Sequence, residues 1–243
     1  MKRSPSYHRV ICVFAFTACW MFVFQTPANS QSVTWQILPF YTDTDWSGSH
    51  GSPATTNGNV ISLTGQPVRT LQTFSGPLRI SYDVVLSARA STDGNIQFLF
   101  VPTNLPTDKV HPSFQLSMSY INNGTDVLQA YNLLANVTDV RVWGPTPFGV
   151  SAGTVYHNII DVTAGGNITW IINNVTNVIP SNITIPFAQY QLELQGWQPD
   201  GPTWTVSNFA VVPEPSVAIL VAASLAVLLG WRRKQHNFNI AGQ

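Results

Sequence analysis

Strict alternation of apolar and polar residues marks the middle of this chain. Leu78, Ile80, Tyr82, Val84 and Leu86 take turns with Arg79, Ser81, Asp83, Val85 and Ser87. Phe114, Leu116, Met118 and Tyr120 do the same with Gln115, Ser117 and Ser119, as do Tyr190, Leu192 and Leu194 with Gln191, Glu193 and Gln195. A period of two sends each set to one face of a strand, one face to the core and one to water. Less regular versions of the pattern predict further strands at 33–38, 59–64, 67–74, 95–101, 127–133, 138–143, 154–162, 167–172 and 203–211. Asn57-Gly58, Asp93-Gly94, Asn123-Gly124, Gly165-Gly166 and Asp200-Gly201-Pro202 supply turns between them. No helical stripe interrupts the series. Such a run of strands predicts an all-β domain, a two-sheet antiparallel β-sandwich in preference to a barrel, over residues 31–212.

The two ends of the chain follow a different pattern. Lys2, Arg3 and Arg9 precede an uncharged apolar run, Val10 to Phe24, then Pro27 and the small-residue stretch Ala28-Asn29-Ser30. This is the layout of a secretory signal peptide cut by signal peptidase before Gln31. A spanning helix needs roughly 20 apolar residues, which this run does not reach. At the other end, Val212-Pro213-Glu214-Pro215 and Ser216 lead into the uncharged run Val217 to Trp231, closed by Arg232, Arg233 and Lys234 and followed by 235–243. The run predicts a short C-terminal transmembrane helix over 216–231. At about 1.5 Å per residue it spans roughly 24 Å, less than the bilayer's hydrocarbon core. The basic triplet holds its end in the cytoplasm.

Charge sharpens the division. The chain as a whole balances 11 Lys and Arg against 11 Asp and Glu. Residues 31–212 alone carry Arg69, Arg79, Arg89, Lys109 and Arg141 against ten acids, a formal charge of −5. An acidic domain is a poor partner for nucleic acid, whose phosphates need clustered Lys and Arg. Both cysteines, Cys12 and Cys19, lie in the leader, so the exported domain has no disulfide framework and no thiolate metal site.

Candidate chemistry is sparse. Glycoside hydrolysis usually needs two carboxylates at a set separation, and the domain has one glutamate, Glu193, which its strand alternation predicts to be solvated. Asp43 and Asp45, in Asp43-Thr44-Asp45-Trp46-Ser47-Gly48, could supply oxygen ligands to Ca²⁺ but form no full EF-hand loop. His50, His111 and His157 show no metal-ligand spacing, and no Gly-x-Ser-x-Gly elbow occurs. No catalytic residue, metal or cofactor is therefore assigned. Trp46, Trp143 and Trp197 stand beside Gly, Pro or Asp in predicted loops, where the rings either pack over the sandwich ends or, exposed, could stack on sugar faces; Trp35, Trp170 and Trp204 fall within predicted strands, as core residues.

Two resemblances add to this reading. The tail Pro213-Glu214-Pro215, apolar helix and Arg232-Arg233-Lys234 stop resembles the PEP-CTERM sorting domain of Gram-negative bacteria. That family implies recognition at the inner membrane by an exosortase, a membrane cysteine transpeptidase, with a cut near the motif and release to the cell surface or matrix. The nine residues Gln235 to Gln243 depart from the family pattern, which usually stops soon after the basic cluster. The domain itself resembles the concanavalin A-like lectin/glucanase jelly roll. The likeness rests on an exposed Arg-punctuated strand before Phe74-Ser75-Gly76-Pro77, the strand 78–87, the Asp93-Gly94 turn, Asn167 to Ile172 and the closing strand Trp204 to Val211. The glucanase branch carries paired glutamates along Glu-x-Asp-x-x-Glu, which this chain lacks. Together these features lead to an exported, non-catalytic surface or matrix protein with affinity for extracellular polysaccharide. The alternative is a secreted hydrolase with an Asp-based site.

Overall fold

The computed structural model describes residues 30–41, 53–133, 139–180, 182–197 and 203–213. Residues Ser30–Pro213 form one compact unit. Its strands build two seven-stranded antiparallel sheets. The back sheet runs β12 (Val175–Val178), β11 (Ile168–Ile172), β10 (Val155–Val162), β5 (Leu78–Leu86), β14 (Trp204–Pro213), β3 (Val60–Leu63) and β2 (Thr55–Asn57). The front sheet runs β1 (Trp35–Ile37), β4 (Val68–Thr70), β13 (Tyr190–Trp197), β6 (Gly94–Pro102), β7 (Ser113–Tyr120), β8 (Val127–Leu133) and β9 (Asp139–Pro147). The expected two-sheet sandwich is what forms. Among the described residues no helix is long and apolar enough to cross a membrane; the leader and the predicted helix 216–231 lie outside them.

The period-two pattern packs as its chemistry requires. Leu78, Ile80, Tyr82, Val84 and Leu86 are buried between the sheets, facing Phe98, Phe100, Leu116 and Met118. Tyr82 stacks on Phe98 at 5.4 Å and on Phe209 at 5.8 Å, and Trp35 meets Phe209 edge-on at 4.8 Å. Phe209 reaches this cluster because β14 contains a bulge. Its register against β5 shifts between Ser207 and Ala210, and Asn208 adopts φ +53°. The extra residue flips the alternation, so Val206 and Phe209, three apart, both turn inward.

Two strands escaped the sequence pattern. β12 is joined to β11 by Asn173 and Asn174, both at positive φ (48° and 66°), with Ile172 paired to Val175. Asparagine tolerates the left-handed region and builds the two-residue hairpin turn without glycine. β2 folds back on β3 through Gly58 at φ +59°. The predicted strand 67–74 shortens to β4, and that strand is buried at all three positions rather than exposed.

One end of the sandwich is pinned by charge. Asp126 receives Arg89 in a two-pronged contact (2.7 and 2.9 Å) and the backbone N–H groups of Ile121 and Val150 (2.9 and 2.8 Å). Burial pushes its carboxyl up, but these hydrogen bonds outweigh burial and hold it below the ordinary carboxylate range. At the other end β14 closes on Pro213, paired with Leu78. A proline has no N–H to give a strand neighbour and is confined to edges and strand ends. Pro213 is accommodated because β3 pairs only with Trp204–Val206, so among the described residues β14 has β5 alone beside it at that row.

Candidate functional site

The outward face of the front sheet holds the unusual chemistry. Positions that alternate with the core are polar: Asn95 and Gln97 on β6; Gln115, Ser117 and Ser119 on β7; Gln129 and Tyr131 on β8; Glu193 and Gln195 on β13. The register sets them in rows across the sheet. Gln195 stands opposite Gln97, Gln97 opposite Ser117, and Ser117 opposite Gln129. The next row places Glu193, Leu99, Gln115, Tyr131 and Arg141 side by side.

A strap divides this face. Residues 103–112 fold over it and bury Leu105 and Val110 against Leu99, Val101, Leu133 and Tyr41, forming a second small core outside the sandwich. Beneath the strap lies the ion pair Arg69–Glu193 (Nε to Oε2, 2.7 Å), both side chains almost wholly buried. Arg69 also donates to the carbonyls of Leu105 (2.9 Å), Pro106 (3.5 Å) and Lys109 (3.1 Å), so one guanidinium ties the strap to the sheet. Removal from water pushes the Glu193 carboxyl well above its ordinary value and pulls Arg69 down to about 10. This corrects the expectation that Glu193 is solvated. Its alternation is right, since it points away from the sandwich core, but the face it points to is covered.

Beside the strap the face opens into a groove with a cavity of about 140 Å³, lined by Asn95, Gln97, Gln115, Ser117, Ser119, Gln129 and Tyr131. Every lining side chain is uncharged. Ser117 and Ser119 share a hydrogen bond of 3.1 Å, and Gln129 Oε1 accepts from the Tyr131 hydroxyl at 2.7 Å and, more weakly, from Arg141 at 3.5 Å. The buried oxygens Asn95 Oδ1, Gln97 Oε1 and Gln115 Oε1 have no hydrogen-bond partner among the described residues. Leaving such an atom unpaired costs about 1–3 kcal/mol. The groove offers amide and hydroxyl groups beside one phenol ring, a surface suited to a neutral hydroxyl-bearing ligand. The outward positions of β7 carry an amide and three hydroxyls.

The residues singled out by sequence fall elsewhere. Trp143 lies within β9, not in a loop, and packs half-buried against the core because the β8–β9 register shifts beside Ala130. Trp197 is the last residue of β13, paired with Asn95, and so is also a strand residue. Trp46, Asp43, Asp45, His50, Glu214, Pro215, Arg232, Arg233 and Lys234 lie outside the described residues. Trp170 and Trp204 are core, as expected; Trp35 is only half-buried. His111 is a buried residue of the strap itself, and His157 sits on the outer face of the back sheet, 2.6 Å from Asp83. Among the described residues no group of three His, Cys, Asp or Glu side chains could hold a metal ion. Of the groove side chains, the alternation of 114–120 marks Gln115, Ser117 and Ser119 as the polar half of a strand, whereas Gln97 and Gln129 fall in predicted strands without being singled out. The signal that could have singled them out is that the face carries amides and hydroxyls where a solvated strand face carries Lys, Glu and Thr.

The chain folds as a two-sheet antiparallel sandwich of the jelly-roll kind with a polar depression on one sheet. Solved structures of similar fold include the carbohydrate recognition domain of Emp47p, with 13% identity over 77% of this chain and 93% of that one at a TM-score of 0.54. The carbohydrate binding module CBM66 from Bacillus subtilis matches with 11% identity over 76% and 99% of the two chains, TM-score 0.50. LamAcat from Zobellia galactanivorans matches with 9% identity over 79% and 99%, TM-score 0.50. At these identities the likeness is one of fold. No protein-family model matches the chain, and no curated protein matches it in sequence.

Proposed function

We propose that this is an exported, non-catalytic glycan-binding protein that uses the groove of the front sheet and is delivered to the cell surface by a PEP-CTERM-type tail. The observation that carries the binding half is the uncharged lining of the groove. Its amide and hydroxyl side chains suit a neutral hydroxyl-bearing ligand, and Tyr131 offers a ring at the rim. Carbohydrate recognition by neighbours of the same fold supports this reading. The absence of a carboxylate among the groove's described lining residues favours binding over hydrolysis, since the one nearby glutamate is spent on Arg69 beneath the strap. The purified 31–213 unit, which contains both sheets and the whole described core, should be retarded in native gels cast with a polysaccharide. Gln97→Leu and Gln115→Leu should each weaken that retardation about tenfold or more at unchanged circular dichroism. Retardation indifferent to both substitutions would place binding elsewhere.

The delivery half rests on residues 213–234 and on where they leave the domain. Pro213 is the last paired residue of β14, and Gln31 N donates to Val211 O at 2.8 Å. A cut before Gln31 keeps that nitrogen as a donor. Replacing Pro213, Glu214 and Pro215 with Ala leaves the apolar run and basic stop intact. It should nonetheless trap an unprocessed form in the inner membrane, while the wild type loses the segment beyond the motif. Immunoblots of fractionated cells, with one tag in the domain and one after Gln243, read both events. Identical size and location for the two proteins would reduce the tail to a plain anchor.

A further inference from the structure

An asparagine followed by glycine is among the least durable pairs in a protein chain, because no side chain shields the glycine nitrogen. That nitrogen can attack the asparagine side-chain carbon Cγ. A bond forms between the two, the glycine proton departs with the side-chain nitrogen as ammonia, and water then opens the cyclic imide to aspartate or isoaspartate. The sequence holds two such pairs, Asn57-Gly58 and Asn123-Gly124, and all four residues are exposed. The fold treats them differently. Around Asn123 the chain is tied at four points. Gly124 N–H donates to the Ile121 carbonyl at 3.3 Å, Asn122 N–H to Asp93 Oδ1 at 2.7 Å, Ile121 N–H to Asp126 Oδ1 at 2.9 Å, and Asn122 Nδ2 to the Ser91 carbonyl. The attacking nitrogen is itself engaged, and a Cβ on Gly124 would meet Ile121 Cγ2 at 2.6 Å, so the turn is closely packed. Asn57 instead ends β2, the edge strand of the back sheet, whose three residues pair with β3 alone. Gly58 enters the hairpin turn at φ +59°, its N–H has no hydrogen-bond partner among the described residues, and a Cβ there would meet nothing within 4 Å. An edge hairpin with so few pairs opens at little cost, which lets Asn57 Cγ reach that nitrogen.

We infer that Asn57 is a site of spontaneous deamidation in the folded protein, and that Asn123, with the same chemistry in its sequence, is protected by its turn. The product adds a carboxylate to a domain that is already acidic. In the isoaspartate form the main chain also gains a methylene at the last residue of β2, which breaks the Asn57–Val60 register. β3 stays paired with β14 through Trp204–Val206, so the change is confined to the edge of the back sheet. The groove lies on the other sheet and keeps its lining.

The test is a time course. The purified protein is held at mildly alkaline pH, once folded and once in concentrated guanidinium chloride, and sampled by peptide mass mapping. The maps read the amide-to-acid mass gain at each asparagine and separate aspartate from isoaspartate. In the folded protein Asn57 is expected to convert about tenfold faster than Asn123, the measure of the hydrogen bonds that must open at the second site. In denaturant the two should convert at similar rates, since both turns are gone. Asp93→Ala removes the tie to the Asn122 N–H, and should speed conversion of Asn123 while leaving Asn57 unchanged. Equal rates in the folded protein, faster loss at Asn123, or an Asn57 that stays intact while the denatured sample converts would overturn the inference. A difference that persists in denaturant would overturn it too, because it would then belong to the neighbouring residues and not to the fold.

Discussion

Tyr82→Asp should leave the domain without a cooperative unfolding transition at room temperature. Tyr82 is 4% exposed at the centre of the sandwich, against the rings of Phe98 and Phe209. Burial already pushes its hydroxyl far above the ordinary phenol value. A carboxylate there would be charged, short of contacts and without a partner among the aromatic rings around it. Losses above about 4 kcal/mol follow from that combination, against a total stability of about 5–15 kcal/mol for an ordinary domain. The neighbouring Asp83→Leu reads the register. Asp83 lies on the outer face and gives up hydrogen bonds to His157 (2.6 Å) and Asn208 (2.7 Å), a loss of about 1–2 kcal/mol. Thermal melts of both variants by circular dichroism settle the order. A folded Tyr82→Asp beside an unfolded Asp83→Leu would mean the strand faces the other way.

The second large effect concerns the strap. Arg69→Met should destabilise the domain by about 3–5 kcal/mol, because it leaves Glu193 buried and unpaired and frees the carbonyls of Leu105 and Lys109. Glu193→Leu alone should cost a similar amount by stranding the guanidinium. The double replacement should recover much of the loss, since two apolar side chains of like size need no hydration. Urea titrations of the two single variants and the double close the cycle. A double variant as unstable as the sum of the singles would show that the pair is not coupled. Strap and groove are distinguishable in the same proteins: opening the strap should raise exchange of the amides of 103–112 before the rest of the front sheet.

How far the sequence reaches is clearest in β5 and β13. Both follow the same alternation, and in both the inward set is as the pattern requires: Ile80, Tyr82 and Val84 in one, Leu192 and Leu194 in the other. Side-chain direction along a strand is a local property, set by backbone geometry, so a single sequence determines it. Twelve of the fourteen strands, the turn positions at Gly58, Asn123 and Gly166, the all-β class and the acidic charge of the domain follow from comparably local terms. What covers the outward face does not. Arg79 on β5 meets Asp161 at the surface, whereas Glu193 on β13, equally outward, is fully buried because a segment some 85 residues earlier in the chain folds across it. The bulge that turns Phe209 inward likewise depends on Asp83, 125 positions away, which receives Asn208 Nδ2. The groove is the same kind of outcome. Gln97, Ser117 and Gln129 read as scattered polar residues until three strands set them in one row and a strap closes its side. The sequence by itself thus determined most of the strands and their two faces. Only the tertiary structure decided which outward face is wet, which is sealed and where a cavity remains, because burial of an outward side chain is set by chain segments far from it in sequence.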